Sequence, residues 1–271
     1  MRTLFFSSIS VLVLFWFSAI ACTNNASGAA KADSGPKTCS DEPIPDDADT
    51  AQVAFRDLNY WTENGQFCIA SLVDNQAAYW QRIWVRIEVL DANGEPLKID
   101  GESSLVVRAL ADAIPPRGAS AFFVALSRDR LSGEPASCRL SGAGSISQDP
   151  GAILIAGDIG GVRVQKPDPN DPTKILELAF QVSGKVENPL NVEATHPRLV
   201  FLLYGKDLKL YYVQMLNPED PKPAVSFEPK GPVLPQGRAK LYCPIQYNQL
   251  PQKLQEVLIG RADIQVYDAR E

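Results

Sequence analysis

A single histidine, His196, stands in the whole chain of 271 residues, and that scarcity alone removes most imidazole chemistry. A Ser-His-Asp triad or a His-rich metal site would have to be built on this one ring, in Ala194-Thr195-His196-Pro197. A loop or strand-edge histidine is the simpler reading. Basic charge is also short: 26 Lys and Arg stand against 32 Asp and Glu, a formal charge of −6. No surplus of cations is left to neutralise phosphates, so nucleic acid is not an expected partner. The sequence also lacks a Gly-x-Ser-x-Gly nucleophile elbow, a phosphate loop and a dinucleotide fingerprint. No two of the five cysteines are at CxxC spacing, which argues against a zinc site. What is present is ordinary globular material, 45% hydrophobic and 21% charged.

The N-terminus carries the clearest address. Leu4 to Ala21 form a nearly unbroken apolar run behind one basic residue, Arg2, and the chain turns abruptly polar after Cys22. Ser18-Ala19-Ile20-Ala21-Cys22 resembles the signal and lipobox of a bacterial lipoprotein. The resemblance implies a signal peptide over 1–21, cleavage after Ala21 and acylation of Cys22, so that membrane lipid is a partner. Thr23 follows the cysteine where inner-membrane lipoproteins often carry Asp, which favours the outer membrane of the cell envelope. An uncleaved anchor and a soluble exported product are the alternatives. Removing 1–21 deletes Arg2 and no acid, so 25 basic residues against 32 acidic leave −7.

Residues 22–50 are rich in Ala, Ser, Gly, Asn, Pro and Asp and read as a lipidated, disordered stalk. The acids Asp41, Glu42, Asp46, Asp47 and Asp49 lack the spaced ligands and central glycine of a calcium loop, so a solvated linker is the expectation. With Cys22 consumed by lipid, Cys39, Cys68, Cys138 and Cys243 remain. Four cysteines in an exported protein suggest two disulfides. A Cys68–Cys138 bridge would close a loop of about 70 residues and contribute roughly 4 kcal/mol, leaving Cys39 to pair with Cys243. Cys39–Cys68 is equally reachable in sequence.

Beyond the stalk the periodicity is that of strands, and it occurs twice. Ile69-Ala70-Ser71-Leu72-Val73-Asp74-Asn75 leads to Val85-Arg86-Ile87-Glu88-Val89-Leu90-Asp91. Val182-Ser183-Gly184-Lys185-Val186-Glu187-Asn188 leads likewise to Leu199-Val200-Phe201-Leu202-Leu203-Tyr204-Gly205. Each copy then reaches a Pro-x-x-Gly-type turn, Ile114-Pro115-Pro116-Arg117-Gly118 or Leu234-Pro235-Gln236-Gly237. Offsets of 113 to 120 residues are those of a duplicated domain. Asn64-Gly65 and Asn93-Gly94 predict two tight antiparallel hairpins, with Gly205-Lys206-Asp207 in the second position of the later copy. The expected fold is therefore mainly β, two tandem antiparallel β-sandwiches over 51–147 and 152–271. Their boundary is expected within the small residues Ser141 to Pro150, and one short helix over Leu250 to Val257.

Phe201-Leu202-Leu203-Tyr204-Gly205, preceded by Val182-x-Gly184-x-Val186-x-Asn188 and followed by Leu234-Pro235-Gln236-Gly237, resembles the FxLYD-type domain of bacterial envelope proteins. That resemblance implies an immunoglobulin-like fold outside the cytoplasm and brings no catalytic residues or cofactor with it. In the first copy, Ile87-Glu88-Val89-Leu90-Asp91 lacks both aromatics.

Two loops invite chemistry and have simpler readings. Gly157-Asp158-Ile159-Gly160-Gly161 suits a bulge or a close backbone approach, and Lys166-Pro167-Asp168-Pro169-Asn170-Asp171-Pro172 suits a hairpin tip as well as a calcium loop. The more suggestive cluster is aromatic: Trp61, Trp80 and Trp84 all fall in the first copy, beside Tyr60 and Tyr79. If Val85, Ile87 and Val89 face the core, Trp84 points outward, and Tyr79-Trp80 lie in a loop. Exposed rings of this kind stack on sugars or anchor a protein partner; the alternative is that they cover the sandwich edge or pack on the second domain. The expected function is non-catalytic binding or scaffolding at the envelope. A glycan-binding or adhesion module using Trp61, Tyr79, Trp80 and Trp84 comes second, and an enzyme using a carboxylate pair third.

Overall fold

The computed structural model describes residues 44, 48–50, 52–147, 154–189, 191, 193–216, 226–228, 233, 236–246 and 250–268. Within them the chain is mainly β, with antiparallel sheets. A first set of strands comprises β1 (Asp49–Thr50), β2 (Val53–Glu63), β3 (Gln66–Asn75), β4 (Gln81–Leu90), β5 (Leu105–Arg108), β6 (Ala119–Ser127) and β7 (Ser137–Ile146). A second comprises β8 (Ile155–Asp168), β9 (Asp171–Glu187), β10 (Pro197–Gly205), β11 (Leu210–Leu216), β12 (Ser226–Glu228), β13 (Arg238–Gln246), the helix α1 (Gln252–Val257) and β14 (Ile259–Asp268).

The two sets are wired alike. The first makes sheets β2-β3-β6 and β1-β7-β4-β5, and the second makes β12-β13-β9-β8 and β11-β10-β14. Order β8-β9-β13 repeats β2-β3-β6, and β14-β10-β11 repeats β7-β4-β5. In the first module the two sheets close on Phe67, Ile69 and Val73 of β3, Phe122, Val124 and Leu126 of β6, and Ile83, Val85, Ile87 and Val89 of β4. Alternation along each strand delivers these side chains to one face. The second module closes on Val182 and Val186 of β9 and on Phe201 and Leu203 of β10.

Turn chemistry sets the registers. Asn64 and Gly65 both take positive φ, 49° and 74°, the backbone that a two-residue hairpin demands, and they join Glu63 to its partner Gln66. At Asn93-Gly94 the Asp91 carboxylate accepts the N–H groups of Asn93 at 2.8 Å and Glu95 at 2.9 Å. The arm beyond it, Leu97 to Ile99, makes isolated bridges rather than the expected second strand.

A buried asparagine fastens the same turn in both modules. Asn75, 1% exposed, donates through Nδ2 to the carbonyl of Ile114 at 2.9 Å, and its backbone N–H donates to Gly118 at 2.9 Å. Asn188, also 1% exposed, donates through Nδ2 to Val233 at 2.9 Å, and its N–H donates to Gly237 at 3.0 Å. Arg117 and Gln236 occupy the positive-φ site of the two turns, at 60° and 54°. The modules also share a bulge on the edge strand: Asp57 has φ 53° and Asp158 has φ 52°, each where the register with the next strand slips. A bulge bends an open edge and discourages pairing with another chain.

Two sequence expectations change here. The stalk does not run free to Thr50, because Asp49 and Thr50 pair with Gly144 and Ala143. Residues 141–146, the first part of the expected boundary segment, are the end of β7, with Gly142, Ala143 and Gly144 opposite Val85, Trp84 and Ile83. Small residues there leave room beside the Trp84 indole, and their loop-like composition hides a strand. The short helix is present with Pro251 at its N-cap. The apolar run Leu4 to Ala21, Cys22 and most of the stalk lie outside the described residues. Among the described residues, no helix is long and apolar enough to cross a membrane.

Candidate functional site

The chemistry of the described surface is organised by the seam between the modules. Strand β3 is buried on both faces: Phe67, Ile69 and Val73 point into its own sandwich, whereas Cys68, Ala70 and Leu72 belong to the cluster of the second module. Strand β10 does the same. Phe201 packs inward against Tyr212, ring centroids 6.4 Å apart, and Val200, Leu202 and Tyr204 have the opposite parity. Strands with both faces covered read as continuous apolar runs. The outer face of sheet β2-β3-β6 and the outer face of sheet β11-β10-β14 therefore cover each other.

Polar bonds pin this seam. At the bulge, the Tyr204 hydroxyl donates to Asp57 Oδ2 at 2.9 Å, and the Arg261 guanidinium lies 4.0 Å from the Tyr204 ring centroid, a cation–π contact. Asn59, 5% exposed, donates through Nδ2 to the Leu210 carbonyl at 2.9 Å. Tyr267 donates to the Leu110 carbonyl at 2.8 Å. At the far end the Glu63 carboxylate accepts the Lys253 backbone N–H at 3.0 Å, at the first turn of α1. Burial first, then the Asp57 carboxylate, pushes the Tyr204 hydroxyl up to about 12. Burial and Asp207 do the same for Tyr211, and burial pushes Tyr267 up further.

The glycine that ends Phe201-Leu202-Leu203-Tyr204-Gly205 has a steric reason. A Cβ at Gly205 would run into the Asp207 carboxylate and sit 2.7 Å from Val257 Cγ2 and 3.0 Å from Tyr211 Cε2, and one at Gly260 would sit 2.7 Å from the Gly205 carbonyl oxygen. A larger residue at Gly205 would displace these side chains, and one at Gly260 would press on the backbone of the β10 turn.

The four aromatic candidates do not form one face. Trp61 is 8% exposed and lies in the seam, edge-on to Tyr211 at 5.1 Å and beside Phe123 at 6.1 Å. Trp84 does sit opposite in parity to the core-facing Val85 and Ile87, but it is covered, 4% exposed, with Arg108 and Ala143 as its cross-strand neighbours. Neither indole Nε1 has a hydrogen-bond partner. Trp84 is therefore not the exposed ring that strand alternation predicts. Tyr79 is 44% exposed and Trp80 half-buried, in the loop from β3 to β4. Sequence reasoning missed Asp57, Asn59 and Tyr267, the polar residues of the seam; the continuous apolar reading of β10 was the available signal for it.

The Cys68–Cys138 bridge does not form, and both thiols are free. The reason is parity. Cys68 shares the outward face of β3 with Ala70 and Leu72, whereas Cys138 lies opposite Val89 and packs on the first core. Burial pushes Cys68 up to about 12 and Cys138 up to about 11, so both stay thiols at neutral pH. Cys39 lies outside the described residues, and of Cys243 only the backbone, paired with Val182, is described.

His196 is half-buried, with Nδ1 3.0 Å from Thr195 Oγ1. The loop Pro167 to Pro172 is a hairpin tip, where Asp168 Oδ1 accepts the Asn170 N–H at 2.8 Å and Asp171 Oδ1 accepts the Thr173 N–H at 3.1 Å. Asp158 of the glycine-rich segment pairs with Lys185, which holds its carboxyl below the usual range. Among the described residues, no cluster of three His, Cys, Asp or Glu side chains could hold a metal ion.

No family model matches the chain, and no curated protein matches it. Among solved structures it is similar to red sea bream transglutaminase, with 12% identity, 71% of this chain covered and a TM-score of 0.21. The chain spans 27% of that protein's length. At that TM-score the likeness carries no argument about fold or activity.

Proposed function

We propose that this chain is a lipid-anchored protein of the bacterial cell envelope, whose two immunoglobulin-like, FxLYD-like modules act together as a non-catalytic binding or scaffolding body. The observation that carries the reading is the seam. Cys68, Ala70 and Leu72 of one module and Val200 and Leu202 of the other are 4% exposed or less, so the modules move as one unit rather than as beads on a linker. A rigid body behind an acylated Cys22 suits holding a partner at a set height above the membrane.

The outer-membrane reading rests on Leu4 to Ala21, Cys22 and Thr23. Mass spectrometry of the mature N-terminal peptide tests it: a diacylglyceryl thioether on Cys22 is expected, and a free Cys22 thiol would overturn it. A glycan or adhesion role narrows to the exposed Tyr79 and the half-buried Trp80, because Trp61 and Trp84 are covered.

A further inference from the structure

Among the described residues, one end of the molecule carries three of the six exposed large apolar side chains. Strand β1 runs antiparallel to β7, with Asp49 opposite Gly144, so β1 begins two register positions from Ile146. The loop holding Tyr79 and Trp80 sits at that same place: the Ser147 N–H donates to the Trp80 carbonyl at 2.9 Å, and Gln81 pairs with Ile146. Asn75 ties the loop to the proline turn beside it, donating to the Tyr79 carbonyl at 2.8 Å and the Pro115 carbonyl at 3.1 Å. Tyr79 is 44% exposed and Ile146 61% exposed. Ile155, 49% exposed, opens the second module where Glu187 pairs with it, next to Asn188. The Tyr267–Leu110 bond at this end and the Lys253–Glu63 bond at the other hold the two modules side by side in the same sense.

We propose that Tyr79, Trp80 and Ile146 form a membrane-facing foot that enters the lipid headgroup region and seats the lower end of the molecule on the bilayer. Tyrosine and tryptophan rings are suited to this layer, apolar in body and polar at one edge. Two exposed cations, Arg82 on β4 and Arg117 in the proline turn, flank the loop and can reach phosphate groups. The proposal rests on the acylation of Cys22. Only 26 residues separate Cys22 from Asp49, and a chain of that length has a coil dimension of roughly 25 to 30 Å, short enough to keep the foot within reach of the surface. Weak contacts then suffice, because the tether holds their local concentration high. The placement also assigns the rest of the body: the turn at Gly205 to Leu208 and the hairpin tip at Pro169-Asn170 lie at the end away from the lipid.

The test uses residues 23–271, which contain every strand and the helix, so that the foot is read apart from the anchor. The chain is mixed with millimolar phosphatidylcholine–phosphatidylglycerol vesicles carrying a headgroup-region nitroxide lipid, and indole quenching is followed. Quenching is expected, and by co-sedimentation with the vesicles, which needs no indole, a Tyr79→Ser, Trp80→Ser, Ile146→Ser variant should lose about tenfold in partition. Leu208→Ser, at the opposite end, should change nothing. Equal far-ultraviolet circular dichroism shows that the variants remain folded. No partition, or partition that the triple variant retains, would overturn the foot. Binding of the same three residues to envelope glycan without vesicle partition would overturn it in favour of a sugar site. Mass spectrometry of Cys22 in the native protein is independent: an acylated cysteine with no quenching sinks the foot alone, and a free cysteine with quenching sinks the anchor alone.

Discussion

The same strand in the two modules has opposite outer faces. In β3 the outward residues Cys68, Ala70 and Leu72 are all buried; 113 positions later in β9 they are Gln181, Ser183 and Lys185, all exposed. The next pair of strands shows the reverse. In β4 the outward Arg86 is exposed and Glu88 half-buried, whereas their counterparts in β10, Val200 and Leu202, are fully buried. Each module thus became apolar on one outer face and stayed charged on the other, and the two apolar faces meet. Sandwiches apolar on both outer faces could stack indefinitely, head to tail. The polar outer face of β9 ends the stack at two.

The contrast predicts unequal costs for equal substitutions. The largest is expected from Ala70→Lys, which buries a cation in the seam without a partner and should cost about 3 to 5 kcal/mol. Ser183→Lys, at the matching position, should stay within about 0.5 kcal/mol. Urea unfolding followed by indole emission reads both, and equal midpoint shifts would end the comparison. Next comes Leu202→Ala, expected to cost about 2 to 5 kcal/mol, against a near-neutral Glu88→Ala.

The shared features should behave alike instead. Asn75→Ala and Asn188→Ala each strand buried carbonyls at a proline turn, and each should cost about 1 to 3 kcal/mol. A cost at only one site would show that the repeated turn is fastened differently in the two modules. Smaller still is Tyr204→Phe, which removes the bond to Asp57 and should cost about 1 kcal/mol.

Alkali offers a graded version of the same test. Tyr204 and Tyr211 are raised from 10.0 to about 12, and Cys68 from 9.0 to about 12. The folded state holds these protons more tightly than the unfolded chain, so their contribution is full below pH 9 and falls as pH rises towards 12. All three groups lie at or beside the seam. Stability should therefore decline over that window, and Tyr204→Phe with Tyr211→Phe should flatten the decline; an unchanged slope would place the titration elsewhere.

Much of this architecture was legible because local chemistry dictated it. Asn64-Gly65 fixes a hairpin by its positive φ angles, Pro251 starts a helix, and the matched Asn75 and Asn188 strands with their proline turns reveal the repeat. The seam was harder to read, because docking is a relation between distant segments. The run Leu199 to Tyr204 signals a strand with two covered faces but does not name what covers it. Trp84 has the outward parity that alternation predicts and is buried all the same, since alternation sets direction and not exposure. Residues 141–146 look like a linker by composition and are nonetheless a strand, paired residue by residue with Gln81 to Arg86. The Cys68–Cys138 bridge failed on parity, which the core-facing Phe67, Ile69 and Val73 already implied.

Strand β2 joins Val53 opposite Asn75 to Glu63 opposite Gln66 through nine register pairs, and it follows directly on the short β1. A tug between the N-terminal tether and anything held at the opposite end acts along these strand axes. Force in that direction loads the rungs of the β2–β3 ladder together, in shear, instead of peeling them one at a time. The antiparallel β1–β7 contact lies in the same line. In the proposed anchored protein this arrangement would act as a mechanical clamp, in which the first strands to feel tension are those whose bonds must fail collectively.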